Sequence, residues 1–221
     1  MKDSTSRLRS ATTRAKSDVA NKLVSMCLHT LSRRLREKEE MRIDSEQYLE
    51  LVRATFQDLC PYCRRSINAE SDSVVEHLDG MNRLRAGLHV SGNVLIACKQ
   101  CNNEKRRDDS LKDLILADSG WESFLSHDGT RCSEKCKTCL YWTRIWTDND
   151  YKMESLAANR RRISEFRAAY LSPSARDLRR LIAPALKSMY EKCQNFAEQS
   201  IVEFVEQMTS YSNANSPPAN L

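Results

Sequence analysis

Two Cys-x-x-Cys pairs, Cys60-Pro61-Tyr62-Cys63 and Cys98-Lys99-Gln100-Cys101, are separated by 34 residues. Each pair offers two sulfurs from one tight knuckle, and two knuckles complete a tetrahedral Cys₄ shell that holds zinc with no open position, a structural site. Four unrelated buried cysteines would not bracket a hairpin pattern in this way. A redox role would place a single pair after a strand. Cys132, Cys136 and Cys139 form Cys-x-x-x-Cys-x-x-Cys, with His127 five residues ahead of the first. That set reads as a second, Cys₃His zinc site or as free thiols in a loop. The same spacing in iron–sulfur radical enzymes needs a large α/β barrel, which this chain is too short and too helical to supply. Between and after the first two knuckles lie Val74-Val75-Glu76-His77-Leu78-Asp79, then Gly92-Asn93-Val94-Leu95-Ile96-Ala97, then Asn102-Asn103-Glu104-Lys105-Arg106. An acid beside a histidine, two asparagines and a lysine inside one metal-stapled segment are residue types suited to hydrolysis.

In that order the segment resembles the HNH nucleases, the zinc-stapled branch with a ββα-metal core. Six elements match over about residues 58–110: the two knuckles, the acid-His pair, the Asn, the Cys-Asn step and the Lys. The resemblance implies that His77 deprotonates a water in line with a phosphodiester. It implies that Glu76 and Asn102 hold a single Mg²⁺ or Mn²⁺, which offsets charge on the phosphate oxygens. Asn93 would brace the loop behind His77, and Lys105 would reach a phosphate oxygen. The acid is Glu76 where Asp is more usual, and Asn102 stands where many relatives have His. No Pro follows His77 closely, and the loop from Gly80 to Gly92 carries Arg83 and Arg85. His89 in that loop is an alternative base, a substrate contact or a simple surface histidine.

These residues need elements to carry them. Short aliphatic runs at Val74-Val75 and at Val94-Leu95-Ile96 predict two antiparallel strands joined by a long loop. Helices are expected from Asp18, with Val19, Leu23, Met26, Leu31 and Leu35 recurring at helical spacing, and from Asp44, where Asp44 and Gln47 read as a capping box. The second of these presents Leu49, Val52 and Phe56. Further helices are predicted over 102–117, 152–171 and 176–208, with Pro173 between the last two and Pro184 in the first turns of the last or kinking it. Trp121, Trp142 and Trp146 should pack the second cysteine segment on the core, and His29, Cys27 and Cys193 read as packing residues. The expected organisation is a disordered basic tail (1–17), N-terminal helices (18–57), a nuclease-like core (58–118), a cysteine-bearing loop (119–150), a helical region (151–209) and a disordered tail (210–221). The expected fold class is α+β and mostly helical, with the ββα-metal core that the resemblance implies flanked by helices on both sides.

Composition bounds the rest. The chain has 221 residues, 40% of them hydrophobic and 29% charged, with only 5 Gly and 5 Pro, which argues against an all-β sandwich. No apolar run approaches the roughly 20 residues that span a bilayer, and no apolar stretch follows the basic N-terminus, so no secretory signal is expected. Nine cysteines in such a chain suit metal ligation in a reducing, cytoplasmic setting. Net charge is +6 over residues 1–42 and +3 over 151–221, against −2 in each of 43–110 and 111–150. Basic flanks suit a polyanion, which yields counterions to Lys and Arg, or they are solvated helix faces. Arg83, Arg85, Arg106, Arg107, Arg160, Arg161, Arg162, Arg179 and Arg180 are the candidate phosphate contacts. The resulting expectation is a metal-dependent endonuclease acting on double-stranded DNA, in a restriction, defence, mobile-element or phage setting, with a homodimer as the form a double-strand cut would need. A zinc-stapled DNA-binding module without catalysis is the alternative.

Overall fold

The computed structural model describes residues 4–37, 43–67, 72–109 and 119–214. The element order is α1 (Ser4–Arg36), α2 (Glu46–Phe56), β1 (Ser73–His77), β2 (Val94–Cys98), α3 (Lys99–Asp109), α4 (Gly120–Leu125), α5 (Lys137–Ile145), α6 (Asn149–Tyr170) and α7 (Pro173–Ala214). The described residues are mostly helical, with one two-stranded sheet among them. β1 and β2 pair antiparallel, with Val75 opposite Ile96 and His77 opposite Val94. None of the described helices is long and apolar enough to cross a membrane.

Two apolar clusters organise these elements. The first joins Tyr48, Val52 and Phe56 of α2 to Leu95 of the sheet, to Trp121, Phe124, Tyr141, Trp142 and Trp146, and to Ile163 and Phe166 of α6. The three tryptophans therefore anchor the cysteine-bearing segment as their placement suggested. The second cluster is the seam between α1 and α7, where Ala20, Val24 and Leu28 meet Ala183, Leu186 and Tyr190. Ala86, Leu88 and Val90 of the β1–β2 loop plug into it. The long loop is thus buried between the sheet and the helical pair.

Several boundaries differ from the sequence expectation. α1 begins at Ser4 rather than Asp18, so most of the expected disordered tail is helical. Its buried stripe is Ala20, Val24, Leu28 and Ser32, whereas Val19, Leu23 and Met26 are exposed. Both stripes have helical spacing, and the one with small residues lets α7 approach. Cys27 is exposed rather than in the core, and Cys193 packs half-buried at the seam. α2 is capped by Ser45, whose hydroxyl accepts from the Tyr48 N–H at 3.2 Å, in place of Asp44. Tyr48 rather than Leu49 enters the core, because its hydroxyl donates to the Val94 carbonyl at 2.6 Å and accepts from the Gly92 N–H at 3.1 Å. α7 starts with Pro173 at its first position and contains Pro184 well inside. It continues to Ala214, past the expected start of the C-terminal tail at 210. The end of the predicted 102–117 helix lies outside the described residues.

A buried carboxylate ties these parts together. Asp79 is 1% exposed. Its Oδ2 accepts from Arg167 at 2.9 Å and Arg179 at 3.2 Å, and its Oδ1 accepts from the Gly120 N–H at 3.1 Å. Burial would raise this carboxyl, but Arg167 and Arg179 outweigh it and hold the pKa below the usual range. A folded-state pKa below the unfolded value gives stability that is present above about pH 4 and is lost as pH falls further. Asp79→Asn should therefore cost about 3 kcal/mol in denaturant unfolding at pH 7. The gap between wild type and variant should narrow as the pH is lowered below about 4.

Candidate metal centres and catalytic cleft

The first knuckle follows α2, and the second runs from the end of β2 into α3. All four sulfurs lie within 4.8 Å of one another and all four residues are buried. Cys63 Sγ and Cys98 Sγ stand 3.8 Å apart. Sulfurs about 2.3 Å from a zinc ion define a tetrahedron with edges of about 3.8 Å. Backbone N–H groups point at the cluster, Cys98 N to Cys60 Sγ at 3.5 Å and Cys101 N to Cys98 Sγ at 3.4 Å. The Tyr141 hydroxyl lies 3.0 Å from Cys101 Sγ. Burial pushes the Cys60 and Cys101 thiols up, while hydrogen bonds from Cys101 and Cys60 pull Cys98 far down. Such a nest of sulfurs and donors fits a cation at its centre.

The second cluster is also assembled. His127, Cys132, Cys136 and Cys139 place one ligand atom each within 4.8 Å. His127 Nδ1 lies 3.3 Å from both Cys132 Sγ and Cys136 Sγ. Its other nitrogen, Nε2, is 3.1 Å from Asp108 Oδ1 at the end of α3. A carboxylate on the far nitrogen fixes the tautomer and orientation of a ligating imidazole, a recurrent feature of zinc sites. Asp108 also raises the His127 pKa. Sequence reasoning missed Asp108, although its acid type near the end of a ligand-bearing helix was visible.

The remaining site residues meet on one cleft. A cavity of about 750 Å³ is lined by Glu76, His77, Asn102, Lys105, Arg106 and Arg83, with Asp18 of α1 and Tyr190 of α7 across from them. Strand alternation turns Glu76 toward α3, where it is 2% exposed, while Val75 is 60% exposed. Lys105 Nζ donates to Glu76 Oε1 and to the His77 carbonyl, both at 3.0 Å, and is itself 1% exposed. Lys105 was expected to reach a phosphate; it closes an internal ion pair instead. Tyr62 donates to the same Glu76 oxygen at 3.0 Å, and burial together with Glu76 keeps that phenol protonated. Glu76 Oε1 is therefore committed to an ammonium and a phenol. A divalent ion would compete with Lys105 for it, so the Glu76–Asn102 pair does not stand ready as a metal shell.

His77 is paired differently from expectation. Its Nε2 lies 2.8 Å from His89 Nδ1, and the His89 ring stands 5.6 Å from that of His29. His29 is exposed and faces this pair rather than packing in the core. Burial, then His89 and Lys105, lower the His77 pKa to about 3. Burial, then Arg36 and His29, lower that of His89 to about 4. Both imidazoles are neutral at physiological pH. Asn93 holds the loop behind them: its Nδ2 donates to Leu88 O at 2.7 Å and Asp79 O at 3.2 Å, and its Oδ1 accepts from Asp79 N at 2.9 Å. Gly87 is needed there because a Cβ would lie 1.7 Å from the Asp79 carbonyl.

The arginines divide. Arg85 is 2% exposed, and Arg179 is held by Asp79 through Nη1 and by the Arg85 carbonyl through Nε at 2.8 Å. Arg83 stacks on Tyr190 at 4.3 Å, and Arg107 pairs with Glu104. Arg162 donates to Asn159, while Arg106, Arg160, Arg161 and Arg180 are exposed. No family model matches the chain, and no curated protein or solved structure matches it either.

Elemental analysis of protein purified without chelator should give two zinc ions per chain. Cys136→Ser should leave one, and Asp108→Asn should retain both but weaken the second by about 10–100-fold in chelator competition.

Proposed function

We propose that the chain is an HNH-type endonuclease that hydrolyses phosphodiester bonds of double-stranded DNA. The observation that carries this reading is the convergence of Glu76, His77, Asn102 and Lys105 on one cleft, beside a Cys₄ cluster that fixes sheet and helix together. Zinc in both clusters would be structural, since each offers four protein ligands and no open position. Within the cleft the roles follow from the neighbours. When His77 Nε2 donates to His89 Nδ1, the lone pair of His77 sits on Nδ1, where it can accept a proton from water. Asn93 and the buried loop hold His89 in place for that contact. Arg106, exposed at the mouth of the cleft, supplies positive charge for the phosphate, with Lys105 behind it. Mg²⁺ or Mn²⁺ is the cofactor the resemblance implies.

The distal half of α7 supports a second copy as partner. Ile201, Phe204, Met208 and Tyr211 are all more than half exposed and continue the helical face that packs on α1 through Ala183, Leu186 and Tyr190. The sequence before Ser17 offers little apolar matter to meet them. Two copies joined through that seam would present two clefts, as a double-strand cut requires.

One observation favours the non-catalytic alternative, a zinc-stapled DNA-binding module: the Lys105–Glu76 pair neutralises the acid that a catalytic metal would need. Incubation with supercoiled plasmid, with and without Mg²⁺ or Mn²⁺, separates the two. The nuclease reading expects nicked or linear product, and a rate about 10²–10⁴-fold lower for His77→Ala at unchanged DNA affinity. Retardation of DNA by wild-type protein without any cleavage would establish the alternative.

A further inference from the structure

A second cavity, of about 170 Å³, shares no lining residue with the His77 cleft. Four arginines line it, Arg167, Arg176, Arg179 and Arg180, against a single carboxylate, Asp79. Three positive charges are thus left over in one partly enclosed space. Neighbouring arginines oppose one another there: burial first, and also Arg167, Arg85 and Arg180, lower the pKa of Arg179.

The hydrogen-bond inventory of the cavity wall is incomplete on the donor side. Arg167 places Nη2 on Asp79 and Nη1 on Asn93 Oδ1 at 3.1 Å. Arg179 places Nη1 on Asp79 and Nε on the Arg85 carbonyl. Its Nη2 is buried with no partner. A buried guanidinium nitrogen without an acceptor is costly. Asp79 already accepts from two arginines and the Gly120 N–H, and the cavity wall holds no second carboxylate.

We infer that this cavity is a binding site for the oxyanion of a phosphate ester. Charge sets the sign of the ligand. Arginine forks match the tetrahedral oxygens of a phosphoryl group, with up to two parallel hydrogen bonds each. The volume is several times the ~30 Å³ share of one water and well below the ~300 Å³ at which pockets begin to hold whole drug-sized ligands. A phosphoryl group fits inside while the remainder of its ester stays outside. Arg176 and Arg180, both exposed at the rim, are free to close on it. This site stands apart from the nuclease reading: its binding needs no cleavage.

Two sources share that chemistry, a backbone diester of nucleic acid and a small phosphate monoester. The test uses the full chain without added divalent metal, unfolded thermally in potassium phosphate and in potassium chloride at equal ionic strength. Phosphate should raise the midpoint saturably where chloride does not. The double variant Arg176→Gln/Arg180→Gln, which alters only exposed side chains, should weaken the apparent affinity at least about tenfold. A dinucleoside phosphodiester and a sugar phosphate are then compared as competitors. Displacement by the diester assigns the site to nucleic acid, and displacement by the monoester alone assigns it to a small phosphorylated ligand. Equal midpoints in phosphate and chloride would overturn the inference. So would a phosphate effect untouched by the double variant, or one that neither ester can compete with, which marks an adventitious ion only.

Discussion

Helix α3, Lys-Gln-Cys-Asn-Asn-Glu-Lys-Arg-Arg-Asp-Asp, has no aliphatic or aromatic side chain, and its buried positions are Cys101, Lys105 and Asp108. A helix normally docks through an apolar stripe; this one has a thiol, an ammonium and a carboxylate at spacings of four and three. Its place in the fold therefore depends on specific polar contacts. At its start Cys101 joins the four-sulfur cluster. In its middle Lys105 meets Glu76 and the His77 carbonyl. At its end Asp108 meets His127 and the Ser123 hydroxyl. Over about 16 Å of helix these anchors are polar throughout, and two of the three involve residues of the candidate metal clusters.

That arrangement couples the two cysteine clusters to the cleft. Asn102 and Lys105 lie between the two anchored ends, so both are positioned by whatever holds Cys101 and Asp108. The sheet is fixed on the other side by the same knuckle, since Cys98 closes β2 and Tyr62 inside the first knuckle reaches Glu76 on β1. Tyr62 is tied in turn to α6, where Asn159 donates to its carbonyl at 2.8 Å. Asp79 performs the equivalent service for the loop, which carries His89 to His77. α3 carries no aliphatic or aromatic side chain, so its seat depends on these polar anchors and on Cys101.

What the sequence made legible was whatever depends on spacing. Cys60, Cys63, Cys98 and Cys101 declare a tetrahedral site because knuckle geometry is local, and Val74-Val75 and Val94-Leu95-Ile96 declare strands for the same reason. The second cluster was legible in its cysteines. Its supporting Asp108 was not, since nothing local ties an acid to a histidine nineteen positions later. Charged residues were misread for a similar reason. Lys105 looks like a phosphate contact in a basic chain, but in the tertiary fold it donates to Glu76 and the His77 carbonyl, and the same fold buries Arg85. α1 offered two apolar stripes one residue apart, and the choice between them was made by the small Ala20 and by α7. Arg167 and Asp79 drew no notice because a lone acid after Leu78 and one arginine among many carry no pattern.

The buried Lys105–Glu76 pair bears most directly on chemistry. Removing two charges from water is expensive, and an apolar pair of the same volume is often as stable, so stability alone is weak grounds for keeping it. The pair does something an apolar one would not: it places a fixed positive charge next to the His77 carbonyl, at the floor of a cleft whose mouth carries Arg106 and Arg83. The cleft thus has a charge-balanced floor, arginines at its rim, and His77 as a neutral imidazole. The ammonium cannot leave without exposing Glu76, and Glu76 cannot turn outward without leaving Lys105 and the Tyr62 hydroxyl behind. Electrostatics in the cleft are therefore preorganised by α3, and the four-sulfur cluster that seats α3 fixes where those charges lie.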